Sequence, residues 1–413
     1  MNVPNHLDSF QKTDPHSKGR HQSSSIFLLI GIISIAINLR APLTSVGPLI
    51  DVIRDHLHLS NTLAGMITTL PLLSFGIFSL FVPKLSQRFG MEQILFYAII
   101  LLTIGVILRS TSGISSLYIG TTILGLAIAV CNVLLPSMIK GEYPQQIGLM
   151  TGIYSVTMNL MGAIASGVSI PIAMGLGLGW QGALGIWAIL SFVAILVWLP
   201  QFKKSSTKTL RLHQKPAGRR MKLWRSSLAW QVTFFMGLQS MIFYVLIAWL
   251  PEILKQQGMG SDQAGWYLSI MQLAVLPVTF IAPILAGRMS DQRLLVTLMS
   301  GSLLIGLLGL LLGSLNFIVL WVVLLGIGSG LSFSLAMTFF SLRTENASQA
   351  AELSGMAQSV GYFLAAVGPT LFGFLYDLTG RSIPLLLLLG VTIVLFIVGF
   401  GAGRNQVISS SKK

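Results

Sequence analysis

Stretches of about 20 apolar residues recur along this chain, and each is long enough for one helix to cross the hydrocarbon core of a bilayer. Twelve stretches can be counted; they lie near 26–50, 61–82, 93–109, 116–139, 148–171, 182–200, 228–250, 263–285, 294–313, 317–341, 353–376 and 382–403. Only 9% of the residues are charged, whereas soluble domains carry about 25%. The pattern predicts an all-α integral membrane protein with 12 transmembrane helices in two six-helix halves.

The predicted spans also set the boundaries of the chain's segments. A six-helix half at 26–200 and another at 228–403 are joined by a basic linker at 201–227, and polar tails at 1–25 and 404–413 flank them. We expect both tails to be disordered. The formal net charge of +14 comes from lysines and arginines scattered over the tails, the linker and short connectors, which indicates membrane topology rather than binding to nucleic acid.

The positions of the basic residues predict which side of the membrane each connector faces. Of the 26 lysines and arginines, Arg54, Arg109, Lys255 and Arg381 fall on one set of connectors, and Arg40 falls inside a span. All the others fall in the tails, the linker and the opposite set of connectors. Because cytoplasmic loops are enriched in lysine and arginine, the sequence predicts that both termini and the linker are cytoplasmic.

The two halves carry related sequences at nearly the same offset. PKLSQRFG (83–90) corresponds to GRMSDQR (287–293), and LMTGIYSVTMNLMGA (149–163) corresponds to ELSGMAQSVGYFLAA (352–366). Both pairs are separated by a little over 200 residues. Two repeated six-helix halves are the layout of parallel-repeat secondary transporters, which hold their substrate between the halves.

Arg40 is the one charged residue deep within a predicted span. It lies 14 residues into the first span, about 21 Å along a helix, where an uncompensated charge is costly. In one interpretation it donates to backbone carbonyls freed by Pro42 or Pro48 and holds a helix kink. In the other it binds an anionic substrate near the midplane. We favour the second because no Asp, Glu or His lies well inside any span. Asn38 and Thr44 on the same helix are expected to complete the site.

Side-chain amides and tyrosines extend this candidate site to other helices. The amides inside predicted spans are Asn38, Asn132, Asn159, Gln239, Gln272 and Gln358. Every third span has none, as expected if spans three, six, nine and twelve face lipid, where an amide lacks a partner. The tyrosines near span centres are Tyr154, Tyr244 and Tyr362. Amides that fasten helices together and tyrosines that pack in the core are the alternative for each residue.

The connector PKLSQRFG resembles the cytoplasmic gating motif of the major facilitator superfamily, Gly-x-Leu-x-Asp-Arg-x-Gly-Arg-Lys. It keeps Leu85, Arg88 and Gly90, but Pro83 replaces the glycine and Gln87 replaces the acid. The final basic pair is also missing. The resemblance implies gating roles for Arg88 and Gly90, without a charge lock on the motif's acid.

The second connector, GRMSDQR, keeps Gly287 and Asp291 of the same motif. The resemblance implies that these two residues also take part in gating. A charge lock in this chain would then be built on Asp291.

Longer segments resemble a narrower family, that of the cyanate permease and the 2-nitroimidazole transporter. They are INLRAPLTSVGPL, NVLLPSMIKGEYP, GLMTGIYSVTMNLMGAIASG, GWQGALGIWA and SVGYFLAAVGPTLFGFLYDLTG. The resemblance spans about 33–381 and implies an inner-membrane carrier of small molecules. One family substrate is a small anion and the other is a neutral nitro-heterocycle, and the oxygens of either could accept from Arg40.

Together these observations predict a secondary transporter that moves a small anion or a small planar nitrogen heterocycle across the inner membrane by alternating access. The alternative is an exporter of neutral nitroimidazole-like or drug-like compounds, with Arg40 in a structural role. No nucleophile with its base and no set of metal ligands lies within the spans, so we expect no enzymatic activity, cofactor or metal. The expected partners are the small-molecule substrate and the lipid bilayer, and the expected state is a monomer. The transport direction and the coupling ion stay open.

Overall fold

The computed structural model describes residues 15–111, 113–212, 223–312 and 315–408. Within these ranges the chain folds into fifteen α-helices and no strand. The N-terminal half contains α1 (Pro15–Thr44), α2 (Ile50–Leu57), α3 (Asn61–Phe78), α4 (Val82–Phe89), α5 (Met91–Arg109), α6 (Ile114–Glu142), α7 (Ile147–Ile170), α8 (Gly179–Gly185) and α9 (Trp187–Leu212). The C-terminal half contains α10 (Ser227–Gln256), α11 (Ser261–Arg288), α12 (Arg293–Leu312), α13 (Ile318–Leu342), α14 (Ala347–Thr379) and α15 (Ser382–Ala402).

The predicted number of spans is confirmed. Eleven spans of the described chain are long and apolar enough to cross a membrane. The twelfth is a bent pair, Leu63–Phe78 followed by Val82–Phe89, whose axes differ by 59°. Thus the second predicted span, 61–82, stops where a short separate helix, α4, begins. Pro83 is the second residue of this helix, and proline suits the first turn because its missing N–H would have no partner there.

Side chains in the connectors mark where several helices begin. Ser60 accepts from the backbone N–H of Leu63 at the start of α3, and Ser226 accepts from that of Ala229 at the start of α10. Such caps satisfy backbone donors that have no partner in the first turn of a helix. These start points follow directly from the sequence.

The ends of the two halves differ from the sequence-based expectations. Helix α1 begins at Pro15, so residues 15–25 of the predicted disordered tail are helical, and α9 continues to Leu212, well into the predicted linker. Residues 1–14, the linker segment 213–222 and residues 409–413 lie outside the described residues. The polar sequences at 15–25 and 201–212 lack the hydrophobicity to enter a bilayer, but each continues a helix that is already formed.

Part of the predicted C-terminal tail packs against the C-terminal half. Ile408 is buried, and its N–H donates to the carbonyl of Arg343 at the end of α13. The Arg343 side chain donates to the carbonyl of Ala402 (2.7 Å) and to Oε1 of Gln292. Burial lowers the pKa of Arg343 to about 10, and the nearby Asp291 carboxylate opposes this shift. Arg343 therefore stays charged at neutral pH. It connects the end of α13 with the connector before α12 and with the C-terminal segment.

Each half is a bundle with its own peripheral helices. In the N-terminal half α5 packs on α6 and α9, and in the C-terminal half α12 packs on α13 and α15. The helices α5, α9, α12 and α15 expose large apolar side chains, including Ile107, Phe192, Leu298 and Ile397. They correspond to the third, sixth, ninth and twelfth predicted spans. Contacts between the halves are made instead by α3, α4, α6 and α7 against α11, α13 and α14.

Candidate substrate site

Arg40 lies on α1 with its guanidinium between two aromatic rings of the opposite half. Its Cζ is 5.4 Å from the ring centroid of Phe243 in α10 and 5.3 Å from that of Phe333 in α13. Aromatic faces attract cations, but they do not neutralise the charge. Among the described residues, the Arg40 side chain has neither a hydrogen-bond acceptor nor a carboxylate partner. The site therefore holds an uncompensated cation.

Two small cavities meet at Arg40, and helices of both halves form their walls. The first cavity is lined by Arg40, Asn159, Gln239, Ser240, Phe243, Tyr244, Val275, Ser329, Phe333 and Tyr362. The second is lined by Arg40, Thr44, Asn159, Gly162, Ala163, Phe243, Gln272, Val275 and Leu276. Each has about 20 Å³ of room for water, roughly enough for a single molecule. The halves are thus nearly closed around Arg40.

Seven of the predicted binding residues line these cavities: Arg40, Thr44, Asn159, Gln239, Tyr244, Gln272 and Tyr362. Thr44 is held by its hydroxyl, which is 2.7 Å from the carbonyl oxygen of Gly162 and 3.1 Å from that of Arg40. Asn159 donates to the carbonyl of Ser155, and Gln239 donates to that of Met236, so the oxygen of each side-chain amide is left unused by the described residues.

The hydroxyl groups of Tyr244 and Tyr362 add two further polar groups to the first cavity. Neither hydroxyl is paired with another described residue. A phenolic hydroxyl can donate to an oxygen of a ligand or accept from a ligand N–H. With Arg40, the cavity offers three groups that can donate to an anion and two amide oxygens that can accept from a neutral ring.

The other four predicted residues do not line the cavities. Asn38 donates to the carbonyls of Ser34 (2.8 Å) and Leu190 (3.3 Å), and thereby fastens α1 to α9. Its amide fastens one helix to another, which is the alternative role that the sequence left open for these amides. The sequence pattern could not separate the two roles because both require an amide inside a span.

Asn132, Tyr154 and Gln358 lie together where the halves touch. The hydroxyl of Tyr154 is 3.3 Å from Oδ1 of Asn132, and the Gln358 amide donates to the Asn132 carbonyl (3.0 Å) across the two halves. On α14, Gln358 is one helical turn from Tyr362, but it is not among the residues that line the cavities. These residues close the space next to the site rather than facing it.

Sequence reasoning missed the two rings that flank the guanidinium. Phe243 and Phe333 carry no polar atom, and each lies in a predicted span that is mostly apolar. Nothing in one sequence distinguishes them from ordinary core phenylalanines. The serines Ser240 and Ser329 of the first cavity wall were missed for a similar reason, since small polar residues are common at helix contacts.

Hydrogen bonds between the halves cluster on the side of the bundle that the linker joins, which we call the linker side. Gln87 of α4 donates to Oε1 of Glu352 (2.8 Å) and to Ser348 of α14 (3.1 Å). Ser341 of α13 donates to the carbonyl of Pro136 in α6 (2.9 Å). Thus the two halves are joined on the linker side.

The four predicted gating residues take different positions. Gly287 contacts Gly148 of the other half so closely that a Cβ on Gly287 would lie 3.0 Å from the Gly148 Cα. Asp291 pairs with Arg293 of its own half: the Arg293 N–H is 2.8 Å and its Nε is 3.6 Å from the carboxylate oxygens. The guanidinium of Arg88 lies over the ring of Phe89, and Gly90 joins α4 to α5 with a φ of 90°.

Of the residues in the first motif, Gln87 is the one whose side chain bonds to the other half. The motif's acid is replaced there by an amide, and that amide makes the contact between the halves. The Asp291 carboxylate bonds to its neighbour Arg293 in this arrangement, and a charge lock built on Asp291 stays a prediction.

Twelve membrane-spanning segments in two halves, with a cation in a closed space between them, define a multi-pass membrane transporter. The chain belongs to the Major Facilitator Superfamily, whose family model matches residues 26–369. The predicted fold and the resemblance to the superfamily are both confirmed.

Comparison with individual proteins confirms the narrower resemblance. The chain is 40% identical over 384 residues to a 2-nitroimidazole transporter of Escherichia coli (strain K12), covering 93% of this chain and 97% of that protein. It is 27% identical over 356 residues to a cyanate transport protein of the same organism, covering 86% and 91%. The solved structure of the proton:xylose symporter XylE matches with a TM-score of 0.71 over 95% of this chain and 98% of that chain. At 15% identity this last match shows the fold alone.

Proposed function

We propose that the protein is a secondary transporter that moves a small anion, or a small planar nitrogen heterocycle, across the inner membrane. The observation that carries this proposal is the unpaired guanidinium of Arg40 in a cavity lined by both halves. Transport proceeds by rocking of residues 26–200 against residues 228–403, which exposes this cavity to each side in turn. Both termini and the linker face the cytoplasm in this proposal, and the cell's inner membrane is its location.

The chemistry of the cavity supports this choice of substrates. Arg40 attracts an anion and offers a planar fork of donors, which matches two oxygens of a carboxylate-like or nitro group. The rings of Phe243 and Phe333 provide flat apolar faces for a planar ligand. A 2-nitroimidazole transporter and a cyanate transport protein are relatives of this chain. Both substrates named there are small, and each has atoms that can accept from a guanidinium.

The alternative, with Arg40 in a structural role, has less support from the contacts. That interpretation requires Arg40 to donate to a carbonyl near Pro42 or Pro48. The carbonyl of Pro42 instead accepts from Nη1 of Arg109 (2.7 Å) and lies 3.2 Å from the hydroxyl of Ser45. Among the described residues, no carbonyl accepts from Arg40. Its side chain is therefore available to a ligand.

The contacts between the halves support alternating access. The halves touch on the linker side, through Gln87, Ser341 and Gln358, and the cavities lie beyond these contacts. With the linker in the cytoplasm, this arrangement is closed toward the cytoplasm. In the opposite state these hydrogen bonds are broken and the cavity faces the cytoplasm.

Flux into proteoliposomes tests the proposal. We would compare the wild type with Arg40→Gln for labelled cyanate and labelled 2-nitroimidazole, after verifying that both fold. The matched control is Arg54→Gln, which removes an arginine of the short helix α2 that pairs with Asp55. Loss of cyanate flux in Arg40→Gln alone supports anion binding by Arg40. If cyanate flux is unchanged, the proposal is wrong. If cyanate and 2-nitroimidazole flux fall equally, Arg40 supports the helix or the transport cycle, as in the alternative.

A further inference from the structure

The side chain of Arg109 is buried inside the N-terminal half, although the sequence placed this residue in an outer connector. It is the last residue of α5, and only 1% of it is exposed. Nη1 donates to the carbonyl of Pro42 at 2.7 Å. Nε and Nη2 have no partner among the described residues. Its one protein hydrogen bond thus goes to α1, two residues beyond Arg40.

The Pro42 carbonyl is available because α1 ends there. An intact helix would pair this oxygen with the N–H of residue 46, but α1 ends at Thr44 and its last backbone bond runs from Ser45 to Ala41. A buried carbonyl at a helix end needs a partner from elsewhere. The Ser45 hydroxyl lies 3.2 Å from this oxygen, and Arg109 supplies the shorter hydrogen bond, 2.7 Å, from a neighbouring helix.

The backbone of Arg109 is fixed by a close contact with α6. A Cβ on Gly120 would lie 2.4 Å from the Arg109 nitrogen and 2.8 Å from its Cα. Only a glycine allows the two helices to approach this closely. Arg109 therefore connects a fixed point, where α5 meets α6, with the final turn of α1.

The opposite face of that final turn is held by α7. The hydroxyl of Thr44 is 2.7 Å from the Gly162 carbonyl, and a Cβ on Gly162 would lie 3.1 Å from the Cβ of Arg40. The turn that carries Arg40 is thus held by Gly162 on one side and by Arg109 on the other. The Arg40 guanidinium itself has no hydrogen bond to a described residue, so its direction depends on this backbone and on the rings of Phe243 and Phe333.

We propose that Arg109 is a positioning residue for substrate: it holds the end of α1 so that the Arg40 guanidinium points into the cavity. This inference rests on the proposed function of Arg40 as the anion-binding group. It assigns Arg109 an effect on anion affinity although Arg109 does not line either cavity.

The test is the dissociation constant for cyanate, measured by equilibrium dialysis of labelled cyanate with the purified full-length chain. Arg109→Gln removes the charged donor, and Arg381→Gln is the matched control at the start of α15 in the other half. We expect Arg109→Gln to raise the dissociation constant about tenfold, because small displacements of a binding group have effects of this order. The maximal exchange rate should change less than twofold, and Arg109→Lys, which keeps a donor, should recover part of the affinity.

A double mutant distinguishes positioning from general stabilisation. If Arg109 acts through Arg40, then Arg109→Gln should have no further effect on cyanate affinity in the Arg40→Gln background. If the two substitutions each raise the dissociation constant for cyanate by factors that multiply in the double mutant, the inference is wrong. It is also wrong if Arg109→Gln lowers thermal stability but leaves cyanate affinity unchanged. Should Arg109→Gln not fold, Gly120→Ala places a Cβ 2.4 Å from the Arg109 nitrogen and so forces the Arg109 backbone to shift; it is expected to weaken cyanate binding in the same way.

The outcomes for the two proposals are separable. If Arg40→Gln leaves cyanate affinity unchanged, the proposed function itself is wrong. If Arg40→Gln weakens cyanate binding and Arg109→Gln does not, the proposed function stands and only the role of Arg109 is rejected.

Discussion

Gln87 in α4 donates a 2.8 Å hydrogen bond to the carboxylate of Glu352 in α14, and thereby joins the two halves through side chains 265 residues apart in sequence. The pair lies on the surface at the linker side. It consists of a neutral amide and an acid, at a position where the superfamily motif has an acid. Its contribution to the closed arrangement is therefore a charge-assisted hydrogen bond and not an ion pair.

Loss of this hydrogen bond should favour opening on the linker side. We expect Gln87→Leu to shift the equilibrium between the two arrangements about fivefold, which corresponds to about 1 kcal/mol. Gln87→Glu should shift it further, because it places two carboxylates side by side. The measurement is the labelling rate of a cysteine introduced at Ala163 in the second cavity wall by a membrane-impermeant maleimide added on the side opposite the linker.

The labelling experiment has a low background because the one native cysteine, Cys131, is buried. Slower labelling of both Gln87 variants is the expected result. Lys84→Gln, at an exposed position of the same helix, serves as the control and should label like the parent. Equal labelling of all variants would show that the pair does not hold the halves together.

Phe243 and Phe333 should distinguish planar from linear ligands. Replacement of either ring by leucine keeps an apolar wall but removes the flat face. Aromatic stacking contributes about 0.5–1.5 kcal/mol beyond area burial, so Phe243→Leu should weaken binding of 2-nitroimidazole about fivefold. Cyanate binding should change less. Equilibrium dialysis with both ligands measures this, with Phe317→Leu, an exposed phenylalanine before α13, as the control. Equal losses for both ligands would contradict a stacking role.

The unpaired charge of Arg40 predicts that exchange is faster than net flux. An empty carrier has to close around a guanidinium without a counter-charge, and removing water from an unpaired charge is costly. A bound anion supplies the missing charge. We expect uptake of labelled cyanate to rise about tenfold, as for a barrier lowered by 1.4 kcal/mol, when the vesicles are preloaded with unlabelled cyanate.

This stimulation should disappear in Arg40→Gln, whose empty cavity carries no charge. It should also vary little between pH 6 and pH 8, since none of the described cavity-lining residues is an acid or a histidine. Net uptake as fast as exchange would exclude the predicted barrier for the empty carrier.

Asn38 and Asn159 should respond differently to removal of the amide. Asn38 bonds to Leu190 of α9, whereas Asn159 lines both cavities. Asn38→Ala should lower the free energy of unfolding by about 0.6 kcal/mol, a typical value for a hydrogen bond between membrane helices. It should leave ligand affinity unchanged. Asn159→Ala should weaken ligand binding with little effect on thermal unfolding. Thermal unfolding and equilibrium dialysis of both variants test this pair, and a reversed pattern would exchange the assigned roles.

Much of the architecture follows from the sequence because a bilayer imposes simple requirements. Span number and the lipid-facing position of every third helix depend on hydrophobicity and on the cost of unpaired amides. The break after Phe78 was missed because hydropathy continues across it, while the helix axis turns by 59°.

The site was predictable to the extent that its groups are polar. Arg40 stood out because it is charged and inside a span, and seven of the eleven predicted binding residues line the cavities. The sequence did not separate amides that face the cavity from Asn38 and Asn132, which bond to neighbouring helices. That distinction depends on the rotation of each helix, which a helix without strong amphipathicity does not reveal.

The small volume of the cavities has a consequence for selectivity. Each cavity, with about 20 Å³ of room for water, holds roughly a single water molecule, so neither cyanate nor a nitroimidazole fits unless the walls move apart. The ligand then becomes part of the packing between the halves. A ligand that is too large holds them apart, and one that is too small leaves a void and an undersolvated guanidinium. Discrimination among substrates is therefore exerted while the protein closes, and an inhibitor of matching charge but greater bulk should trap it half-open.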